Sequence, residues 1–287
     1  MAKYSKVDYE IPAVDIAITK FERHIRNLGF SDATILDYVG RSRRYIEFCG
    51  TTTPNQEDAD RFRQSLIDRR LSRSSINNYS FVMKKYHALI GSSVSLPFIK
   101  HGYKLPYVFD EHDIRTIFNS VTNIKYLCML HIGFYASLRA SEVANLDDSD
   151  IDLINKTIRI RGGKGDRDAL LYLNDICIDS ITKYLKRRPK LIIDGRQPLF
   201  FSRKKKRYDR KMVYNIFRNC KQKAGIIKPG GVHVFFRHSS ATLLLARGCD
   251  LLTVKELLRH KDIKTTEKYL HLTDSEKRLK HDKYLRV

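Results

Sequence analysis

Between Val14 and Gly91, apolar residues recur at helical spacing in four stretches. Ile16, Phe21, Ile25 and Leu28 form one face that stops at Gly29, a residue suited to a helix C-terminus. Ser31 and Asp32 cap a second helix that carries Ile35, Tyr38, Val39, Tyr45, Ile46 and Phe48. The breaker Thr52-Thr53-Pro54 precedes a third helix from Asp58 to Arg70. Ser72 to Leu89 makes a fourth, with Ile76, Tyr79, Val82, Met83 and Tyr86 inside. The spacing predicts a four-helix core.

The period is lost between Ser92 and Pro106, a stretch with Pro97, Gly102 and Pro106 that reads as an interdomain linker. The expected boundaries are residues 1–95 for the bundle, 96–106 for the linker and 107–287 for a second domain. In the second domain, Asp110 to Ser120 and the strongly apolar Lys125 to Tyr135 predict helices. Thr157 to Arg161 alternates, Gly162-Gly163-Lys164-Gly165-Asp166 turns, and Ala169 to Leu173 returns, which predicts a β-hairpin. Helices resume at Asp175–Arg188, Lys211–Ala224, His238–Arg247, Asp250–Leu258 and Thr265–Leu272. The expected fold is mainly α in two domains, a helical bundle followed by an α+β domain with a small antiparallel sheet.

With 287 residues and 42% apolar side chains, the chain has material for real cores, which excludes a disordered polycation. The longest uncharged apolar stretch, Tyr126 to Leu138, is shorter than the ~18 residues of a membrane span and contains His131. The N-terminus MAKYSKVDYE lacks the apolar segment of a secretory signal, so a cytoplasmic protein is expected. Five cysteines without a C-x-x-C pair suggest neither zinc nor disulfides. No phosphate-cradling glycine loop or paired-carboxylate metal site occurs in the sequence, and neither cofactor nor metal is expected.

Charge adds a partner. Lys and Arg number 54 against 32 Asp and Glu, a net +22, and nucleic acid is the commonest intracellular polyanion. Residues 1–100 carry 16 basic and 11 acidic side chains, whereas residues 201–250 carry 13 and 2, so half the excess falls in fifty positions. Arg41, Arg43, Arg44, Arg73, Lys84 and Lys85 on the bundle, and the run Arg203-Lys204-Lys205-Lys206-Arg207, are candidates to follow a phosphate backbone. A merely solvated loop is the other reading of that run.

Four islands carry candidate chemistry. Ala136-Ser137-Leu138-Arg139-Ala140-Ser141-Glu142 follows the apolar helix, and Arg139 is either a rigidly held cation or a surface partner of Glu142. Lys164 sits at the hairpin tip. His233-Val234-Phe235-Phe236-Arg237-His238-Ser239-Ser240-Ala241-Thr242 and the segment from Leu258 to Tyr269, with His260 nine residues before Tyr269, complete the set. In this order the islands resemble the tyrosine recombinase (phage integrase, Xer-like) family. The resemblance spans nearly the whole chain, since residues 14–91, with Ser-Ser-Ile-Asn-Asn at 74–78, are similar to that family's SAM-like core-binding domain.

The resemblance implies a site-specific recombinase that cuts and rejoins double-stranded DNA through a 3′-phosphotyrosyl intermediate. Arg139 and Arg237 would grip the scissile phosphate, where a guanidinium fork suits two oxygens better than an ammonium does. Lys164 would protonate the leaving 5′-hydroxyl, His260 would hydrogen-bond the phosphate or help to order it, His233 would be a further catalytic residue, and Tyr269 would be the nucleophile. The implied assembly is a homotetramer on two DNA sites, monomeric or dimeric when free, with the two domains clamping the duplex and the tail from Ser275 either docking on a neighbour, as in the family, or fraying as a terminus. Related chemistry without strand exchange, as in a type IB topoisomerase, and a catalytically inactive DNA-binding relative are the alternatives.

Three positions depart from the family's pattern. Ser137 and Arg259 stand where it usually has glycine. The family's His-x-x-Arg is His233-x-x-x-Arg237 here, and one added helical residue would rotate the imidazole by about 100° unless a bulge before the helix absorbs it. His238 is expected to pack or cap.

Overall fold

Helices α1 (Ala13–Asn27), α2 (Asp32–Cys49), α3 (Gln56–Asp68) and α4 (Arg73–Leu89) follow the apolar spacing of the N-terminal third. They belong to a computed structural model that describes residues 12–100, 107–162, 168–270 and 281–282 and divides into two units, Met1–Tyr103 and Lys104–Val287. Phe21, Ile25, Tyr45, Ile46 and Met83 meet with no exposed surface at the centre of the first unit. Each such side chain stabilises the fold by about 1.5–3 kcal/mol relative to exposure. The start of α3 lies earlier than the apolar pattern indicates. Asn55 accepts from the Asp58 N–H at 3.0 Å while the Asp58 carboxylate accepts from the Asn55 N–H at 3.0 Å, a reciprocal cap that makes Asp58 the third helical residue.

The second unit is built round α6 (Ile124–Tyr135), whose residues from Cys128 to Phe134 are all buried. Helices α5 (Glu111–Asn119), α7 (Ala140–Ala144), α8 (Asp175–Leu185) and α9 (Arg210–Lys223) belong to the same unit. The sheet is antiparallel in the order β1 (Ile151–Asp152), β2 (Thr157–Ile160), β3 (Ala169–Tyr172), with Ile158 opposite Leu171. Ile158, Ile160 and Leu171 are buried, while Arg159 is turned outward and pairs with Asp168 at 2.6 Å. Strand β1 is an addition to the expected hairpin, since two residues are too short to display a period.

The remaining helices, α10 (Ser240–Ala246), α11 (Leu251–Leu257) and α12 (Lys264–Glu267), follow a π-helical turn at Val234–Ser239. Gly133 on α6 lets this turn approach: a Cβ there would stand 2.2 Å from the Phe236 ring. A side chain at 133 would therefore push on the residue next to Arg237. Among the described residues, no helix is long and apolar enough to cross a membrane.

Candidate active site

Two helix ends of the same design build the site. At the end of α6, the Ser137 N–H bonds to the Phe134 carbonyl at 3.1 Å and the Leu138 N–H to the Gly133 carbonyl at 2.9 Å. At the end of α11, the Arg259 N–H bonds to the Glu256 carbonyl at 2.8 Å and the His260 N–H to the Lys255 carbonyl at 3.0 Å. Both are Schellman motifs, which require a left-handed residue, and Ser137 and Arg259 supply it with φ of +50° and +54°. The end of α10 fills the same position with Gly248 at φ +90°. The two family glycines replaced in this chain are thus residues whose conformation favours glycine. Each replacement has a side-chain contact to set against the strain. Ser137 Oγ is 2.8 Å from Ser240 Oγ, and Arg259 Nη2 donates to Glu142 Oε2 at 2.8 Å.

Arg139 follows the first motif and caps α7. Its Nη1 donates to Glu142 Oε1 at 2.7 Å and its backbone N–H to Oε2 at 2.7 Å. Both sequence readings of Arg139 therefore meet in one arrangement, because the i+3 pair also fixes the guanidinium. Burial, the largest influence, pushes the Glu142 carboxyl upward, but the charge of Arg259, the Arg139 N–H and hydrogen bonds from both arginines bring it below the usual range.

Arg237 is 2% exposed and ties the two helix ends together. It donates from Nη1 to the Ser137 carbonyl at 2.7 Å and from Nη2 to the Leu258 carbonyl at 2.5 Å. Burial, then the charges of Arg139 and Arg259, lower its pKa to about 10, which leaves it cationic at neutral pH. The segment around it winds as a π-helical turn, which begins at Val234, immediately after His233. A turn closed by i→i+5 bonds holds one residue more than an α turn, and such turns recur at functional sites. The widening lies in this turn itself, where the sequence suggests a bulge ahead of the helix. His233 stays at the site: its ring stands edge-on to His238 with centroids 4.7 Å apart. Although one edge is open to solvent, the surrounding protein and the charges of Arg237, Lys268 and Arg139 push its pKa down to about 4.

Tyr269 is 1% exposed. It stands beyond α12 rather than on it, in a turn where its N–H bonds to the Thr266 carbonyl at 3.0 Å. Its hydroxyl is 2.6 Å from His238 Nδ1, so His238 faces the site instead of merely packing. His260 lies nearly parallel to the Tyr269 ring, centroids 6.4 Å apart, with Nδ1 2.8 Å from Thr266 Oγ1. The Lys268 ammonium is 5.2 Å from the Tyr269 ring centroid. Burial raises the Tyr269 hydroxyl to about 12, against a lowering influence from Arg237. Burial together with neighbouring cations lowers His238 to about 3 and His260 to about 4.

The structure thus brings together Arg139, His233, Arg237, His260 and Tyr269, and adds Glu142, His238, Arg259 and Lys268. Glu142 was visible as a partner of Arg139, but the other three sit beside assigned residues and carry no spacing signal of their own. Lys164, the linker residues 101–106 and the tail from Ser275, apart from 281–282, lie outside the described residues. Cationic at its arginines, neutral at its imidazoles and holding a buried phenol, the site is suited to a phosphate anion. Among the described residues, no group of three His, Cys, Asp or Glu side chains is placed to hold a metal ion.

The candidate backbone contacts divide. Arg203, Lys204, Lys205 and Lys206 are exposed on a turn closed by the Phe201–Arg207 bridge. Arg207 itself is committed inward, its Nη2 2.5 Å from Oδ1 of the buried Asp147. On the bundle, Arg41 pairs with Asp37 at 2.7 Å, Arg43 with Asp15 at 2.6 Å, and Arg44 donates to the Tyr79 hydroxyl at 3.2 Å. Arg73 donates to the Lys100 carbonyl at 3.1 Å, Lys85 lies 5.6 Å from the Phe81 ring centroid, and Lys84 is exposed.

Residues 107–276 match the model of the phage integrase family. A tyrosine recombinase of Thermosipho africanus (strain TCF52B) is 29% identical over 277 residues, covering 88% of this chain and 93% of that protein. Tyrosine recombinase XerA of Thermococcus kodakarensis is 29% identical over 266 residues, covering 89% and 90%. The fold is similar to that of XerH site-specific recombinase, with a TM-score of 0.70 at 21% identity over 83% of this chain and 76% of that one. With its mainly helical two-unit fold and its ordered Arg, Arg, His and Tyr islands, the chain belongs to the phage integrase family, the tyrosine recombinases.

Proposed function

We propose that the chain is a site-specific DNA recombinase that cuts and rejoins duplex DNA through a 3′-phosphotyrosyl link at Tyr269. The observation that carries this reading is the convergence of the Arg237 guanidinium and the imidazoles of His238 and His260 on the buried Tyr269 phenol, with His233 packed against His238. XerH, a recombinase of the same fold, has a solved post-cleavage complex with palindromic difH substrate, which supports DNA as the partner.

Arg139 and Arg237 hold the scissile phosphate and neutralise the charge that builds at pentacoordinate phosphorus. Arg237 has five N–H donors, and the Ser137 and Leu258 carbonyls engage two of its nitrogens, so further N–H groups serve the phosphate. His260, with Nδ1 on Thr266, offers Nε2–H to a non-bridging oxygen, and His233 lines the same phosphate. Tyr269 attacks phosphorus, and Lys164 protonates the departing 5′-oxygen, a general-acid gain of roughly 10²–10⁴. The link keeps the bond energy for rejoining, so no nucleotide is consumed. Four protomers on two duplexes perform two such exchanges through a four-way junction.

The test is a nicked suicide duplex carrying the protein's own candidate site. Wild type should form a covalent adduct and Tyr269→Phe none. Absence of a wild-type adduct sinks the reading, and relaxation of supercoils without a preferred sequence would favour a topoisomerase.

A further inference from the structure

Two imidazoles, His238 and His260, flank Tyr269, and a third, His233, stands behind the first. Among the described residues, His238 is the one hydrogen-bonded to its hydroxyl, Nδ1 to Oη at 2.6 Å. His260 faces the Tyr269 ring rather than its oxygen, and its Nδ1 is engaged by Thr266 at 2.8 Å. His233 stands against His238, 4.7 Å between centroids. Resting on Tyr269 as the nucleophile, we infer that His238 is a further catalytic residue, which receives the tyrosine proton through Nδ1 as the phenol oxygen attacks phosphorus.

The step balances. The Tyr269 oxygen forms a bond to phosphorus, and its proton passes along the existing hydrogen bond to Nδ1, giving an imidazolium. The bond from phosphorus to the 5′-oxygen breaks, and that oxygen takes a proton from the Lys164 ammonium. Rejoining reverses both transfers, so His238 returns its proton to the tyrosine oxygen. The arrangement requires the neutral tautomer protonated on Nε2, since only an unprotonated Nδ1 accepts from a phenol.

The groups facing His238 are His233 and Arg237 on its own segment and His260, Lys268 and Tyr269 from beyond α11. With no anion among them, burial and these cations hold His238 neutral, while burial, against the lowering influence of Arg237, keeps Tyr269 protonated. A DNA phosphate brings a negative charge into this cluster and makes a proton on His238 less costly. The nucleophile is thereby kept inactive until the substrate that it attacks is seated.

His238→Asn tests the inference, because an amide group can approximate the place of Nδ1 and accept a hydrogen bond but cannot carry off a proton. Single-turnover cleavage of the suicide duplex by His238→Asn should be slower by about 10² or more at pH 7, with DNA affinity and melting temperature close to wild type. Its rate should climb close to tenfold per pH unit as preformed phenolate takes over, more steeply than that of wild type. Added imidazole should restore part of the rate to His238→Gly. Cleavage by His238→Asn within threefold of wild type, with a parallel pH profile, would overturn the inference. Should the variants not fold, ¹⁵N NMR of wild type decides: Nε2–H with a bare Nδ1 supports proton acceptance, and Nδ1–H overturns it. An adduct from Tyr269→Phe would sink the nucleophile assignment instead, whatever His238 does.

Discussion

Arg259 holds Glu142 from a left-handed backbone position, with φ of +54° and its Nη2 2.8 Å from Glu142 Oε2. A side chain in this conformation costs about 1–2 kcal/mol, which glycine would relieve. The same Arg259 is one of two guanidinium partners of a carboxylate whose side chain is 8% exposed. Removing one partner of a buried ion pair costs about 3–5 kcal/mol when nothing else compensates, and less here because Arg139 remains. Arg259→Gly should therefore destabilise by about 1–2 kcal/mol in urea unfolding. With Glu142→Gln in the background only the strain relief is left, and Arg259→Gly should become neutral or stabilising. The same sign in both backgrounds would refute the coupling.

Arg237 is part of the core as well as the site. Alanine at 237 strands the Ser137 and Leu258 carbonyls, at about 1–3 kcal/mol for each buried acceptor left unpaired. Arg237→Ala should thus melt at lower temperature as well as fail to form an adduct, so its loss of cleavage is ambiguous. Arg237→Lys keeps a charge and some of the packing but loses the fork. It should retain DNA binding while adduct formation falls by about 10² or more. Adduct yield near wild type from Arg237→Lys would show that the fork is dispensable.

The helices were legible wherever an apolar face repeats, as in α1, α2, α4 and α6, because burial of that face is what forms them. Boundaries set by polar caps were less so, and Asn55 shows why: its exchange of bonds with Asp58 lengthens α3 through residues that bear no apolar signal. Arg139, Arg237, His260 and Tyr269 were legible as a family order. His238 was not, since its bond to Tyr269 joins residues 31 apart in sequence through a turn of unusual width. Arg207 reads as the end of a basic run, yet the buried Asp147 claims it, a pairing between residues 60 apart.

His238 and His260 make the fold sensitive to acid. Folded, they titrate near 3 and 4, whereas unfolded histidine titrates near 6.5. Below pH 6.5 the unfolded chain binds more protons, so stability falls as pH drops, by up to about 1.4 kcal/mol per pH unit for each ring. The loss should run from about pH 6.5 to about 4 for His260 and on to about 3 for His238, levelling off as each folded ring also protonates. Urea midpoints at pH 7.5 and 5.5 measure it, and His260→Gln should flatten the dependence. Equal midpoints for wild type at the two values would show that these rings are not held neutral.

The basic run at 203–207 should separate into two effects. Lys204, Lys205 and Lys206 are exposed, and replacing them with glutamine should change stability by no more than about 0.5 kcal/mol. If they meet DNA phosphates, the slope of log affinity against log salt should shrink by about 0.9 for each such contact. Arg207 donates to Asp147 at 2.5 Å and to the Leu146 carbonyl at 3.3 Å, while Asp147, 2% exposed, is also held by Arg161. Arg207→Gln should therefore lower stability by about 1–3 kcal/mol and leave the salt slope nearly unchanged. Parallel urea melts and salt titrations of the two variants distinguish the roles. A reduced slope with intact stability in Arg207→Gln would place Arg207 on DNA after all, and its pairing with Asp147 would then be one that binding breaks.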